Sequence, residues 1–503
     1  MSNRIYTVFA VTAAIILSSA VSYGQGEANE PNKSGHFYEM TLGPAPQQVF
    51  GFALSPDNRH IAFVTAKDRK PVVLVDGKAL PGEYDRMGGN LIFSPDSNHI
   101  AYIVNKGIKK FAVIDGNAGP EYDEIGKNTV IFSPDSKRTV YLARKVNKWQ
   151  VVVDGQGGEE YEEGIIANSF FSPNSKHVIY AARKAGKFRI FIDGKAGAEE
   201  YNVIEGGLVF SPDGNHTAYA IRNGYRQRVV VDGNAGPDFD DIMEGTPVFS
   251  PDSKRMAYGV KKGMKWQIVV DDNVGPEYDS IGKGIPPVFS PDSKRITYMA
   301  RDGYKWVVVI EGYATAEYAD VMEGSIVFSP DGKRVAYAAG KSGKWLVVID
   351  GQEERAYDNI LKGTLVFSPD GTQLAYVAQE NNKQMVVING IAGGGYNRIG
   401  GTAVFSPDSK RVGYVGQKES KWIVVIDSQS WSEHEGVTNI VFSLDSKNAA
   451  CGAQNEGKGY IVINDKVGPK YDSLVCGPTT SGQDGFEGIL IRNNTLYRLL
   501  WKP

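Results

Sequence analysis

An all-β chain assembled from about a dozen like units is predicted by three observations. The tetrapeptide Phe-Ser-Pro-Asp, or a close variant, recurs with its serines at Ser55, Ser94, Ser133, Ser172, Ser211, Ser250, Ser290, Ser329, Ser368, Ser406 and Ser443. Successive steps are 39, 39, 39, 39, 39, 40, 39, 39, 38 and 37 residues. Between the motifs lie short stretches rich in β-branched residues, bounded by Pro-Asp and Asp-Gly turn signals. A period near 40 residues filled with short strands is the mark of a β-propeller, in which each unit is one four-stranded blade.

The unit from Glu317 to Gly351 gives the elements in order. Ser325 to Phe328 is an apolar strand a, ended by Ser329-Pro330-Asp331-Gly332. There proline presets φ and Asp-Gly supplies the reversal. Lys333 to Ala339 alternates around Val335 and Tyr337 and forms strand b. After a Gly/Lys/Ser loop, Trp345 to Asp350 is strand c, and Asp350-Gly351 signals the next hairpin. Ala356 to Ile360 is strand d. An aromatic leads strand c at Phe111, Trp149, Phe188, Trp266, Trp306, Trp345 and Trp422. Strand d carries Tyr84, Tyr122, Tyr161, Tyr201, Phe239, Tyr278, Tyr318, Tyr357, Tyr396 and Tyr471. Such rings could form a carbohydrate platform, but every unit repeats them, so packing between blades explains them better.

The chain ends complement each other. Gly35 to Glu39 matches Gly275 to Asp279 and opens the chain on a strand d. Gly488 to Arg492 reads as strand b and Thr495 to Trp501 as strand c, with no strand d after them. Eleven motif-bearing units and this degenerate one make twelve, closed by pairing a terminal strand across the ring and so removing exposed sheet edges. Propellers typically have four to eight blades. Two six-bladed rings, 35–272 and 273–503, are therefore expected ahead of one wide twelve-bladed ring. Asp271-Asp272 in place of Asp-Gly and the extra residue at Pro286-Pro287 mark the proposed division. Two rings would pair the Phe37 to Leu42 strand with Trp266 to Asp271; one ring would pair it with Leu496 to Trp501.

Residues 1–24 read as a secretory signal: Arg4, the apolar run Val8 to Val21, then Ser22-Tyr23-Gly24. A short polar leader, 25–34, follows. Secreted or periplasmic localisation is the expectation. Two cysteines, Cys451 and Cys476, do not make a disulfide scaffold, and two free thiols are expected. With 55 basic and 58 acidic side chains the net charge is −3, which gives no basic field for nucleic acid.

The string Phe328 to Tyr337, Phe-Ser-Pro-Asp-Gly-Lys-Arg-Val-Ala-Tyr, resembles the WD40-like repeat of TolB-type propellers. The resemblance covers essentially everything after the signal segment. It implies the propeller fold strongly and a function weakly, because one superfold hosts many functions. The family includes periplasmic partner-binding proteins and propellers attached to peptidases. This chain departs from it in having no separate α/β domain between Gly24 and the first strand, which argues against a TolB-like envelope role. Asn174 stands for Asp in the fourth motif and Leu444 for Pro in the eleventh.

Enzyme motifs are missing: no Gly-x-Ser-x-Gly, no His-Glu-x-x-His, no Cys-x-x-Cys and no phosphate loop. His60, His99, His177 and His216 share one repeat column with Arg138, Arg255, Arg295, Arg334 and Arg411. This reads as a solvated position after the a–b turn, and equivalent residues of different blades do not converge on one ion. The Asp-rich c–d turns, such as Asp115-Gly116-Asn117 with Glu121 and Asp123, have oxygen ligands at loop spacing. They lack the full calcium-loop order, and the turn explains Asp-Gly. No cofactor, metal ligand or catalytic residue is expected.

One asymmetry remains. The b–c loops are basic: Lys106, Lys109 and Lys110; Arg144, Lys145 and Lys148; Arg183, Lys184 and Lys187; Arg222 and Arg226; Lys261, Lys262 and Lys265; Arg301 and Lys305; Lys341 and Lys344; Lys418 and Lys421. The acids of the c–d turns belong to the opposite face. The expected function is a non-catalytic exported scaffold whose b–c face docks an envelope protein or an anionic glycan. The candidate docking residues are Lys109, Lys110, Arg144, Lys145, Lys148, Arg183, Lys184, Lys187, Lys261, Lys262 and Lys265. The competing class is a lyase or hydrolase with a site at the channel mouth, and the alternative to docking is that charged loops keep a repeat protein soluble.

Overall fold

A computed structural model describes residues 37–503 apart from 47, 162, 167–169, 185–186, 201 and 204–207. The signal segment, the polar leader and Tyr201 lie outside the described residues. The described strands form twelve antiparallel sheets arranged in a ring. Blades 1 to 11, in chain order, span 51–79, 86–118, 124–161, 163–200, 202–235, 241–274, 280–314, 320–353, 359–392, 398–434 and 436–467. Blade 12 takes Ser473–Ser481, Gly485–Arg492 and Thr495–Trp501 from the C-terminal end and Phe37–Pro44 from the N-terminal end.

Blade 8 shows how the repeat folds. Val335–Lys341 is strand b and Lys344–Ile349 is strand c, paired Ala336 to Ile349 through Lys341 to Lys344. Strand a is split into Asp320–Val321 and Val327–Phe328, both paired with strand b. Strand d is split too. Gln352–Glu353 pairs with Val348 and Ile349, and Tyr357 bridges Trp345. Four steps on d oppose three on c, which is a one-residue bulge. The expected strand d from Ala356 to Ile360 is thus corrected. Tyr357 closes its own blade, while Asn359–Ile360 already pairs with strand b of blade 9. The bulge turns the chain just before Asp358, so the handover to the next blade falls inside the apolar stretch.

Strands b are buried on both sides because each is sandwiched between two neighbouring blades. Ala336 and Ala338 pack toward blade 9 with Tyr357, Phe367 and Tyr376. Tyr337 and Ala339 pack toward blade 7 with Met299, Trp306 and Tyr318. The core is therefore a series of layers between blades. Most described strand-d aromatics meet a strand-b tyrosine of the next blade edge to face, as Tyr122 with Tyr141, Tyr278 with Tyr298 and Tyr357 with Tyr376. That is the packing role expected of the stripe.

The two-ring expectation is corrected. Phe37–Pro44 pairs with Thr495–Trp501, from Phe37 opposite Trp501 to Pro44 opposite Thr495. Trp266–Asp271 has its own strand d at Asn273–Val274, with Tyr278 bridging Trp266. Blade 6 packs on blade 7 like any other pair: Met243, Ile268 and Tyr278 share a cluster with Phe289, Ile296 and Tyr298. The features that suggested a division are absorbed locally. Asp272 takes the left-handed conformation (φ 63°) that glycine adopts elsewhere, and a single 3-10 turn at Gly282–Gly284 takes up the extra residue. The circuit instead closes between blades 12 and 1. Ile489 and Leu496 pack with Ile61 and Phe63, and Arg59 Nε meets Glu487 Oε1 at 2.6 Å.

Candidate functional site on the b–c loop face

The conserved-looking turn chemistry belongs to the opposite face, and it is structural. Ser329 is buried, donates its hydroxyl to Asp331 Oδ1 (2.6 Å) and accepts the Arg334 N–H (2.9 Å). The Asp of one turn also reaches the next blade: the Asp252 N–H donates to Ser293 Oγ at 2.9 Å, across the blade 6–blade 7 boundary. Replacing Ser329 with alanine strips a buried acceptor from the Arg334 N–H. The expected loss is about 1–3 kcal/mol, read as a lowered urea midpoint; an unchanged midpoint would mean the turn holds without its hydroxyl.

The Arg/His column is part-exposed, as the sequence reading expected of a position after the a–b turn, but its side chains are tied down. Arg334 Nε meets Asp350 Oδ2 at 2.9 Å, and its guanidinium lies 5.5 Å over the Phe367 ring of blade 9. Arg255 and Arg411 repeat the arrangement with Asp271 and Phe289, and with Asp427 and Phe442. In other blades histidine substitutes. His60, His99, His177 and His216 each place Nδ1 on the c–d turn aspartate of their own blade, at 2.6–2.7 Å. The hydrogen bond to Asp232 raises the His216 pKa above the usual imidazole range. The c–d aspartates are thereby used as staples, Asp115 by His99 and by the Ile100 N–H.

Two clefts open beside these turns, of about 370 Å³ between blades 6 and 7 and about 800 Å³ between blades 5 and 6. Their polar lining includes Asp213, His216, Asp232, Arg255 and Asp271, the same staple residues. The Ser211 hydroxyl and the Asn215 N–H hold the Asp213 carboxyl down at about 2, so it stays ionised as a fixed acceptor.

On the b–c face the hairpins are two-residue turns. Gly107, Gly224, Gly263 and Gly303 lead four of them with φ near +60°, the position where a glycine-first hairpin needs it. The structure compensates much of the expected basic charge. Lys109 meets Asp123 at 2.6 Å, Lys265 meets Asp279 at 2.7 Å, and Lys148 meets Glu160 at 3.5 Å. Lys110 is paired with Glu124, and Arg226 with Asp240. Arg144, Arg183 and Lys261 lie over Trp149, Phe188 and Trp266. Lys187 sits opposite Lys184 on the blade 4 hairpin. The side chain of Lys184 is outside the described residues.

The partners of these basic side chains are acids that sequence reading did not place here. Three of them, Asp123, Asp240 and Asp279, follow the strand-d aromatic by one residue, a signal visible as Tyr-Asp or Phe-Asp in many units. Each of these three bridges two hairpins. Asp123 takes Lys109 of blade 2 and the Val146 N–H of blade 3 (2.9 Å). Asp279 takes Lys265 of blade 6 and the Gly303 N–H of blade 7 (2.7 Å). The lysine and then the backbone N–H lower the pKa of both carboxyls. The basic face is therefore laced with acids, a correction to the expected separation of charge.

What compensation leaves is specific. At the hairpin tips lysine stands directly opposite lysine: Lys67 and Lys70, Lys106 and Lys109, Lys145 and Lys148, Lys184 and Lys187, Lys262 and Lys265, and, in blades 8 and 10, Lys341 and Lys344, and Lys418 and Lys421. In blade 8 both lysines meet acids, Glu353 and Asp358, and in blade 10 Lys418 lies over the Tyr396 ring while Lys421 meets Glu435. Like charges directly opposite destabilise a hairpin. One member of the described pairs is held by an acid, while the exposed Lys106, Lys145 and Lys262 form no ion pair among the described residues. In blades 9 and 11 the equivalent pairs are Glu380 with Lys383 and Asn455 with Lys458.

Comparison with known proteins adds little. No family model matches the chain, and no curated protein matches it. Among solved structures it is similar to a eukaryotic initiation factor, with 14% identity, 73% of this chain and 99% of that one covered, and a TM-score of 0.35. TolB from Acinetobacter baumannii matches at 17% identity over 50% of this chain and 77% of that one, with a TM-score of 0.23. The Dos1 propeller matches at 10% identity over 58% and 91%, with a TM-score of 0.27. Likeness at this level carries no functional argument, and the propeller fold rests on the strand pairing above.

Proposed function

We propose that this chain is an exported, non-catalytic propeller scaffold that captures an anionic partner on its b–c loop face. The observation that carries the reading is the set of lysine–lysine pairs across the hairpin tips of blades 1 to 4, 6, 8 and 10, with Lys106, Lys145 and Lys262 left without an ion pair among the described residues. These pairs oppose hairpin stability, and blades 9 and 11 show that the same turn forms without them. Export follows from the reading of residues 1–24, and places the partner in the periplasm or outside the cell.

The enzyme alternative would need polar groups particular to a few blades and free to react. The clefts are lined instead by turn residues that recur around the ring and are engaged in fixed pairs. Charge reversal tests the scaffold reading. The triple variant Lys106→Glu, Lys145→Glu, Lys262→Glu is expected to lose retention on immobilised dextran sulfate at moderate salt, with an unchanged melting temperature. These side chains are exposed and unpaired, so the fold does not depend on them. Retention equal to that of the unaltered chain would remove the b–c face as the binding surface.

A further inference from the structure

A second asymmetry overlaps the first in blades 2, 3 and 6. The hairpin tips of blades 2, 3, 5, 6 and 7 present Ile108 (88% exposed), Val146 (79%), Tyr225 (95%), Met264 (85%) and Tyr304 (97%). The tip of blade 4 lies outside the described residues. From blade 8 onward the equivalent positions are Gly343, Asn382, Ser420, Gly457 and Asn494. The turn itself does not ask for an apolar side chain, since half the ring builds it without one. Val146 sits at φ 49°, a left-handed conformation unfavourable for a β-branched residue, and buries nothing in return. Apolar tips therefore cost solubility and, at Val146, backbone energy, and those of blades 2, 3 and 6 stand beside Lys106, Lys145 and Lys262, which form no ion pair among the described residues.

We infer that the arc of these hairpin tips is a peripheral docking surface for an anionic phospholipid bilayer. The inference rests on the b–c face being the binding surface and names what binds there. Three features point to a bilayer ahead of a folded protein. The apolar groups are single side chains on separate hairpins, one per blade, and not a contiguous patch with a pocket between them. A rigid partner would touch such points and leave gaps, whereas a fluid acyl and headgroup layer closes around each one. Equivalent hairpins of a ring share one face, so the tips reach a planar surface together. Ile and Met suit the apolar boundary, Tyr suits the headgroup level, and Lys106, Lys145 and Lys262 stand next to the tips where anionic headgroups lie. On the other face, exposed Val274, Tyr313, Ile391, Leu444 and Val467 are spread over blades 6, 7, 9 and 11, without opposed lysines beside them.

Co-sedimentation with phosphatidylcholine vesicles, with and without phosphatidylglycerol, tests the inference. The mature chain is expected to bind the phosphatidylglycerol vesicles and to ignore the neutral ones. The variant Tyr225→Ser, Met264→Ser, Tyr304→Ser should lose binding by about tenfold or more, since several inserted side chains are removed, while keeping its retention on dextran sulfate. The lysine triple variant should lose both. Vesicle binding unchanged in the serine variant, or absent from the unaltered chain, overturns the bilayer inference. In either case retained dextran sulfate binding leaves the anionic-partner reading standing, and its loss in the unaltered chain brings down both.

Discussion

A chain that begins at Gln48 is expected to unfold at lower denaturant and to self-associate, while one that begins at Gly35 behaves like the full sequence. The segment removed supplies strand d of blade 12. Phe37 packs beside Ile461, Tyr471 and Leu499, and Leu42 packs at the junction with blade 1. Glu39 accepts a hydrogen bond from the Tyr471 hydroxyl and pairs with Arg492 at 2.6 Å. Phe37 is partly buried, so its loss alone costs a part of the about 3–5 kcal/mol that a fully buried phenylalanine contributes. The greater consequence is the edge: Thr495–Trp501 would show its free N–H and C=O groups to solvent, a template for pairing with another molecule. Urea titration and light scattering after gel filtration read both effects. A monomeric truncated chain with an unshifted midpoint would mean that the circuit is not sealed by this strand. A peptide of residues 37–44 should restore part of the lost stability if the edge is the cause.

The repeat was legible because each unit carries its own turn chemistry. Ser-Pro-Asp fixes the a–b reversal and Asp-Gly the c–d hairpin, and both appear in the structure where the sequence puts them. Terminal closure was legible for the same reason, since His36 to Glu39 resembles the strand-d segment around Tyr278. The number of rings was not, because it depends on how much each blade turns relative to its neighbour. That angle is set by packing between strands such as Val335–Lys341 and Leu374–Glu380, and no local motif records it. The charge on the b–c face was half legible. Lysine positions could be counted, but the bulge before Tyr357 shifts the following Asp358 onto the lysines, and its partner Lys344 lies 3.4 Å away. A strand drawn straight through that segment would have left the acid unassigned. The exposed tips of blades 2, 5, 6 and 7 were in plain view as Gly-Ile, Gly-Tyr and Gly-Met, yet only burial distinguishes an apolar residue that packs from one that does not. His434 was hidden differently: it replaces tyrosine in the strand-d column, is buried, and meets the Tyr460 hydroxyl at 3.0 Å.

Tyr337→Ala is expected to cost about 3–5 kcal/mol, the range for deleting a large buried ring. Tyr337 is 1% exposed on strand b of blade 8 and meets Tyr318 of blade 7 edge to face, with centroids 6.1 Å apart. Its hydroxyl donates to Thr315 Oγ1 at 3.3 Å, so Tyr337→Phe should cost far less, about 0.5–1.5 kcal/mol. The contrast separates filling from hydrogen bonding at the joint between two blades. Blade 11 shows that filling is the requirement. There Cys451 occupies this column, and Tyr460 from strand c swings in to meet His434 in its place. Burial pushes the Cys451 thiol up to about 12, which makes it an inert part of the layer and not a reactive group. Because each blade leans only on its neighbours, the alanine variant should loosen the blade 7–blade 8 layer first. Hydrogen exchange would then rise at Val335–Lys341 and Ile296–Asp302 before it rises at Val140 or Ile461. Uniform acceleration around the whole circuit would instead mean that the twelve blades unfold as one cooperative body and that a joint has no local stability of its own.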